Sequence, residues 1–402
     1  MAEPAFRRLL LLGAGHGHLD LLKHLRPLTK AGVEVTVVSP EPAGLYSGMI
    51  PGLLGERYSR RNVTLPVREI TENGGATFID DRVTAISAAR REVTLASGRS
   101  LSYDVLSVAM GSVVATERLP HLSGGPAEGV FPVKPFANVD AARVRLREAL
   151  ASGPARAVVV GGGPAAVEIA GNLARLGRTV GGGNHGTGPL EVALACGGEP
   201  LAQFPAGCRK RALGELRRVG VAVCGSGRAA LVEPGRVVLE DGSQEHGDII
   251  IVAPGVKAAP VLAASDLPTA PDGALVIDET MRVPSDHPVF AAGDSSHLSS
   301  NPLARIGAHA LRGGQALRRN IVQMVRDGEI HRPSRYSPTR SIFLALNLGT
   351  GRATACLRRL TLHGRWVFAL KELIDTGFMR NTVRAARRSR KRENARPPVA
   401  AG

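Results

Sequence analysis

Aromatic residues are scarce: Phe, Trp and Tyr make up 3% of the 402 residues. That is a poor endowment for a single-stranded nucleic-acid platform, which relies on base–aromatic stacking. Cysteine is as sparse. The four, Cys196, Cys208, Cys224 and Cys356, include no CxxC pair, which argues against a zinc ribbon or a thioredoxin-like redox centre. All four read as buried and inert, and a reducing compartment is their natural setting. No apolar run approaches the ~18 residues that would span a bilayer. Arg7-Arg8 and the leucines from Leu9 to Leu12 superficially resemble a secretory leader. The run is short and leads into Gly13 and His16 with no cleavage site, so it reads as a first strand.

Glycine and positive charge are abundant instead. Glycine numbers 48 of 402, well above the usual ~7%. The formal net charge is +16, which favours anionic partners such as nucleotides or acidic headgroups. The surplus is uneven. Arg380 to Arg396 hold eight Arg/Lys against Glu393 alone, leaving the rest of the chain at +9.

An internal repeat organises the glycines. VTLASGRSLSYDVLSVAMG (93–111) aligns with VVLEDGSQEHGDIIIVAPG (237–255), placing Gly98, Asp104 and Gly111 on Gly242, Asp248 and Gly255. Upstream of each copy an apolar strand runs into a Gly-rich turn and a helix pattern: Leu9–Leu12 then GAGHGHLDLLKHL (13–25), and Ala157–Val160 then GGGPAAVEIAGNLARL (161–176). Val33–Val38 and Leu190–Leu194 read as the next parallel strands. Strand, Gly turn, helix, strand, then meander, written twice, is the pattern of two related dinucleotide-binding units. Downstream, Asp278–Val283 and Val289–Ala292 read as short strands, 303–326 as a helix, Ser341–Leu348 and Ala353–Leu362 as strands, and Trp366–Met379 as an amphipathic helix. Residues 381–402 read as a disordered basic tail.

A pyrophosphate needs close backbone N–H donors and a helix N-terminus. Gly13 and Gly15 answer that need in the first unit, Gly161 and Gly163 in the second. The third fingerprint position is His18 in the first and Ala166 in the second. Alanine is tolerated there, whereas histidine questions the tightness of the helix–strand contact. His16 and His18 lack a third ligand, so no metal is expected; they contact a cofactor or pack. The acid that would bind a ribose diol ~20 residues on is missing: Ser39 stands there in the first unit, with Glu41 beyond, and about Cys196 in the second, with Glu199 beyond. Glu199 could take a 2′-hydroxyl or a nearby Arg a 2′-phosphate, so NADH and NADPH both stay open. GGGNHGTG (181–188) reads as a flexible loop.

With two fingerprints, VAMG, VAPG and FAAGD (290–294), the chain resembles the two-dinucleotide-domain flavoprotein oxidoreductases of the pyridine nucleotide-disulfide superfamily. Within it the chain resembles type II NADH dehydrogenases, and more closely the oxidoreductases fused to selenide, water dikinase, through LYSGMIPGLLGERYS (45–59), VFPVKPF (130–136) and LHGRWVFALKELIDTGFMR (362–380). The resemblance implies an α/β protein: two Rossmann-like three-layer ββα domains with a C-terminal α+β extension. The FAD domain would comprise 1–133 and 263–335, the NAD(P)H domain 134–262, the acceptor-side region 336–380 and the basic tail 381–402.

The resemblance further implies FAD against Gly13, Gly15, His16, His18, Ser39, Pro51, Gly111, Gly293 and Asp294, the last on the ribitol. It implies NADH or NADPH against Gly161, Gly163, Pro164, Ala166 and Gly255. Glu168 would face nicotinamide and flavin, or else be an acid favoured by a helix start. Lys134 would lie near the flavin, or else be a solvated lysine at a crossover. No cysteine pair of the disulfide reductases follows the second strand. The implied activity is electron transfer from NAD(P)H to a quinone-type acceptor; the alternatives are a soluble reductase of a protein or a selenium or sulfur compound, and a redox-sensing protein whose tail holds nucleic acid, the least expected partner. The expected setting is cytoplasmic, with reversible contact of the C-terminal helix and tail at the inner membrane surface or packing of that helix on the core. A homodimer is compatible.

Overall fold

Apolar strands that run without alternation need cover on both faces, and two sheets of such strands organise the chain. The computed structural model describes residues 3–119, 121–180, 189–224, 227–338, 343–357 and 360–393. In chain order the framework strands are β1 (Arg8–Leu12), β2 (Glu34–Ser39), β3 (Thr77–Asp80), β4 (Val105–Val108), β5 (Val130–Pro132), β6 (Ala155–Val160), β7 (Leu190–Ala195), β8 (Val221–Cys224), β9 (Ile249–Val252) and β10 (Val289–Ala291). The first sheet has the order β10-β4-β1-β2-β3 and the second β5-β9-β6-β7-β8, all parallel. The four inner and far-edge strands of the two sheets correspond position by position, as the repeat requires, and each sheet gains its remaining edge strand from outside the repeated units.

The repeat extends to single hydrogen bonds. Gly13 N–H donates to Val38 O at 2.7 Å and Gly161 N–H to Ala195 O at 2.8 Å. Asp104 accepts from the Arg8 backbone N–H, and Asp248 from that of Arg156, both at 2.8 Å. The repeated aspartates thus anchor the first strand of each unit to its last. Each unit also carries an antiparallel meander, 83–102 in the first and 229–246 in the second.

The helices that matter below are α1 (Leu19–Leu22), α2 (Ile50–Leu54), α3 (Ala137–Ser152), α4 (Pro164–Val180), α5 (Ala206–Arg218), α6 (Gly307–Asp327) and α7 (Arg365–Glu393). A C-terminal antiparallel sheet, β11 (Leu344–Asn347), β12 (Ala353–Leu357) and β13 (Leu360–Gly364), leads into α7. The mixed α/β class agrees with the sequence reading.

Several local expectations are corrected. The helix expected over 13–25 is only the single turn α1; a separate short helix, Arg26–Lys30, follows with Pro27 in its first turn. Proline has no N–H to continue a preceding helix. The strand expected at Asp278–Val283 is Leu275–Ile277 instead, and Asp278 begins a turn, its carboxylate accepting from the Thr280 and Arg282 N–H groups. The tail expected to be disordered from 381 continues α7 to Glu393. The cysteines are not all inert thiols: Cys208 of α5 and Cys356 of β12 form a disulfide, with Cα atoms 6.3 Å apart. Sequence separation of 148 hid that pair. Cys196 and Cys224 are free. The loop 181–188 and the end of the tail from 394 lie outside the described residues.

Candidate active site

The carboxyl ends of parallel strands are where an open α/β sheet offers a crevice. In the first unit this edge carries the Gly13–His18 turn after β1, Gly111 after β4 and Gly293-Asp294 after β10. In the second it carries Gly161–Gly163 after β6 and Gly255 after β9. The glycines do unequal work. A Cβ on Gly13 or Gly15 would collide with the backbone at Ala109 and Met110, and one on Gly161 with the Ala253 carbonyl. Those three let each turn cross the neighbouring strand end. Gly163 has nothing within 4 Å of where a Cβ would stand, and Gly111, at φ +76°, is equally open. Open space over these turns suits an approaching ligand. Pro164 opens the 17-residue α4, and Ala166 is fully buried, giving the close helix–strand packing expected of that position.

His18 corrects the sequence reading. It is fully buried, and both ring nitrogens are engaged within the protein, Nδ1 with Gly13 O at 2.6 Å and Nε2 with Ser107 Oγ at 2.7 Å. It braces the turn from behind and has no nitrogen left for a cofactor. The contact that glycine would make is replaced by a hydrogen-bonded strut. Burial lowers its pKa to about 4, so the ring is neutral. His16 differs: its Nε2 is buried with no hydrogen-bond partner among the described residues. An orphaned polar atom of this kind, beside a glycine turn, fits a bound cofactor's polar groups. Burial also lowers the His16 pKa to about 4.

From His16 a line of polar groups runs through the molecule. Its field is shared with Asp294 and Lys134. The Lys134 ammonium lies 3.1 Å from Asp294 Oδ2, and Ser112 Oγ–H donates to the same oxygen at 2.6 Å. Burial opposes the Asp294 charge, but Lys134 and Ser112 hold its pKa below the ordinary value. Lys134 is therefore no solvated crossover lysine; it is the counter-ion of the aspartate expected to meet the ribitol. On the other side His16 stacks obliquely on Tyr46, centroids 5.6 Å apart. Tyr46 donates to Asp375 of α7 at 3.0 Å, and Asp375 pairs with Lys371 one turn earlier at 2.6 Å. Lys371 also donates to Gly48 O at 2.9 Å.

Glu168 lies at the far end of this line. Its carboxylate accepts from the Asn347 N–H of β11 at 2.7 Å and senses Lys371 and Asp375. Withdrawal from water raises its pKa to about 7, against the pull of Lys371 and the Asn347 bond. A carboxylic acid that titrates near neutrality can hold or release a proton under working conditions. The helix-start account does not suffice, since a dipole effect would lower the pKa.

The remaining expected residues sit at the margins. Ser39 ends β2, buried, its hydroxyl donating to Glu41 O at 3.3 Å. Pro51 is buried in the first turn of α2, which packs on α4. Glu199 is tied to Arg209. Tyr46, Ser112, Asn347, Lys371 and Asp375 were not singled out from sequence. Lys371 and Asp375 are an i,i+4 pair inside the quoted 362–380 stretch, which was the one available signal. No group of three or more His, Cys, Asp or Glu among the described residues could hold a metal ion.

A family model described as pyridine nucleotide-disulphide oxidoreductase matches residues 7–313. An NADH dehydrogenase-like protein of Mycobacterium tuberculosis is 33% identical over 57% of this chain, and the match spans 58% of that relative's length. An internal alternative NAD(P)H-ubiquinone oxidoreductase of Arabidopsis thaliana is 26% identical over 75% of the chain and 64% of its own length. The match thus spans less than two thirds of each of these curated relatives. Among solved structures, NDH2 from Plasmodium falciparum in complex with NADH superposes with TM-score 0.78 at 14% identity, over 96% of this chain and 98% of that one. The sulfide:quinone oxidoreductase of Aquifex aeolicus gives 0.75 at 18%, over 94% and 92%. At such identities the two structures speak for the fold.

Proposed function

The chain belongs to the pyridine nucleotide-disulphide oxidoreductase family, and from that premise we propose that it is an FAD enzyme oxidising NAD(P)H and passing electrons to a quinone-type acceptor. The carrying observation is a set of buried and half-buried polar groups, Lys134 paired with Asp294, His16 on Tyr46, Tyr46 on Asp375 and Lys371, with Glu168 in the field of the last two, at the edges of both glycine-turn units.

Gly13, Gly15, His16, Gly111 and Asp294 would hold FAD, which supplies the two-electron chemistry when bound. Gly161, Gly163, Pro164, Ala166 and Gly255 would hold the nicotinamide nucleotide. Lys134 keeps Asp294 ionised as a hydrogen-bond acceptor for the ribitol. The neutral His16 ring carries no charge to repel or attract, so its Nε2 serves as a hydrogen-bonding group. Glu168 stores a proton near pH 7, and the Lys371–Asp375–Tyr46 cluster sets the field around it.

The C-terminal helix supports the acceptor class. Trp366, Leu370, Leu373 and Ile374 form one stripe and are 56%, 38%, 68% and 48% exposed, while Val367, Phe368 and Met379 are buried. One helix thus packs on the core and also presents an apolar face outward. Arg380 and Arg384 are exposed and continue the stripe, and the basic sequence follows. No helix among the described residues is long and apolar enough to cross a membrane. An apolar stripe backed by arginines suits an anionic bilayer surface, where a quinone would be met. The test is an acceptor screen with purified protein and NAD(P)H. Short-chain quinones turning over faster than ferredoxin, disulfide or selenium acceptors is the expected result; the reverse order would replace the quinone with a soluble acceptor.

A further inference from the structure

The adenosine end of the second nucleotide site lacks the acid expected at the end of its second strand. Where a parallel unit of this kind binds NADH, an acid at the end of the second strand takes the ribose diol, and an arginine nearby takes the 2′-phosphate of NADPH. Here β7 ends at Ala195 and the acid's place is held by Cys196, which is buried with its thiol donating to Gly198 O at 3.3 Å. The place is the right one in space. A Cβ on Gly162 of the glycine turn would stand 3.5 Å from the Cys196 Cβ, and Leu201 N–H donates to Gly162 O at 2.7 Å. The next acid along, Glu199, is committed to Arg209.

Arg228 occupies the same edge. It follows β8, the neighbour of β7, and its Cα, Cβ and Cγ lie directly against Gly197, so close that Gly197 has no room for a side chain. Its backbone N–H donates to Glu240 Oε2 at 3.0 Å, fixing the stem. The residue is exposed, and its guanidinium has no hydrogen bond or ion pair among the described residues. A held stem with an unspent guanidinium, beside a position without its acid, has the chemistry to meet a phosphate monoester. Such a group carries roughly −1.5 to −2 charges at neutral pH, and the planar fork of arginine matches it.

We propose that the nucleotide of the second glycine turn is NADPH in preference to NADH, and that Arg228 binds its 2′-phosphate. The proposal rests on the reading of the chain as an NAD(P)H-oxidising flavoenzyme. Two measurements on the purified full chain test it. The first is calorimetric titration with adenosine 2′,5′-bisphosphate and with 5′-AMP, which needs no turnover. The second is the ratio of kcat/KM for NADPH and NADH with ferricyanide as acceptor. Tighter binding of the bisphosphate and an NADPH-favouring ratio are expected. Arg228→Ala should lower both preferences by roughly 10- to 100-fold, the range of a lost charge-assisted contact. Cys196→Glu should shift them the same way by repelling the phosphate. Equal binding of the two adenosine nucleotides, an NADH-favouring wild type, or an unchanged ratio in Arg228→Ala would overturn the assignment while leaving the enzyme reading intact. Failure of both dinucleotides to reduce the protein would overturn both.

Discussion

At the scale of single residues, two positions separate binding from chemistry. Gly163 faces open space, so Gly163→Val should fold normally yet put a branched side chain where pyrophosphate must approach. Its kcat/KM for NAD(P)H should drop roughly 10- to 100-fold or more, the cost of forcing a clash into a fitted site, with FAD content unchanged. Wild-type rates of flavin reduction in that variant would exchange the roles of the two turns. Glu168 tests the proton store. Its pKa is raised from 4.5 to about 7, so its acid form is stabilised by folding. Its contribution to stability is full below pH 4.5 and is lost as pH rises through about 7, by at most about 3 kcal/mol. Glu168→Gln should retain both cofactors, slow turnover, and abolish an inflection of the rate near pH 7. A variant with the parent's pH–rate profile would assign that titration elsewhere. The sequence showed Glu168 as an acid on a helix following a glycine turn, but its environment comes from Asn347, Lys371 and Asp375, about 180 to 207 residues away, and no local pattern reports such distances.

At the scale of elements, what is periodic or repeated was legible and what depends on burial was not. The two parallel sheets were readable because the strand, glycine turn and closing strand occur twice, down to the paired aspartates Asp104 and Asp248. The glycines were read as cofactor cradles, and Gly13, Gly15 and Gly161 also let turns cross a neighbouring strand, a requirement visible only once β4 and β9 are in place. His18 looked like a failed fingerprint glycine and is instead a strut to Ser107, a partner 89 positions away. For α7 the amphipathic pattern was plain, but periodicity cannot say which apolar residues meet protein and which meet solvent. The fold resolves it by burying Val367 and Phe368 and leaving Trp366, Leu373 and Ile374 outward. The proposed consequence is reversible membrane attachment. The full chain should co-sediment with anionic liposomes at low salt and release at high salt, as the Debye length shrinks from about 10 Å at 0.1 M to ~3 Å at 1 M. A chain ending at Arg380 should bind more weakly, since each basic group near the surface contributes ~1 kcal/mol. Equal binding by both would discount the arginines, and no binding by either would point to a soluble acceptor.

At the scale of the whole molecule, two copies of one nucleotide-binding unit, a C-terminal sheet and a long helix contribute to one set of buried and half-buried polar groups. Neither unit supplies it alone: Asp294 and His16 come from the first, Glu168 from the second, Lys371 and Asp375 from α7. The most direct measurement is an anaerobic titration of the purified protein with NAD(P)H, followed at the visible flavin band, with the cofactor released and identified afterwards. The expected result is a yellow protein that bleaches on adding stoichiometric nucleotide and whose released cofactor is FAD. A colourless protein that takes up no flavin on reconstitution, or one that releases FMN, which lacks the adenosine half the first unit would hold, would contradict it.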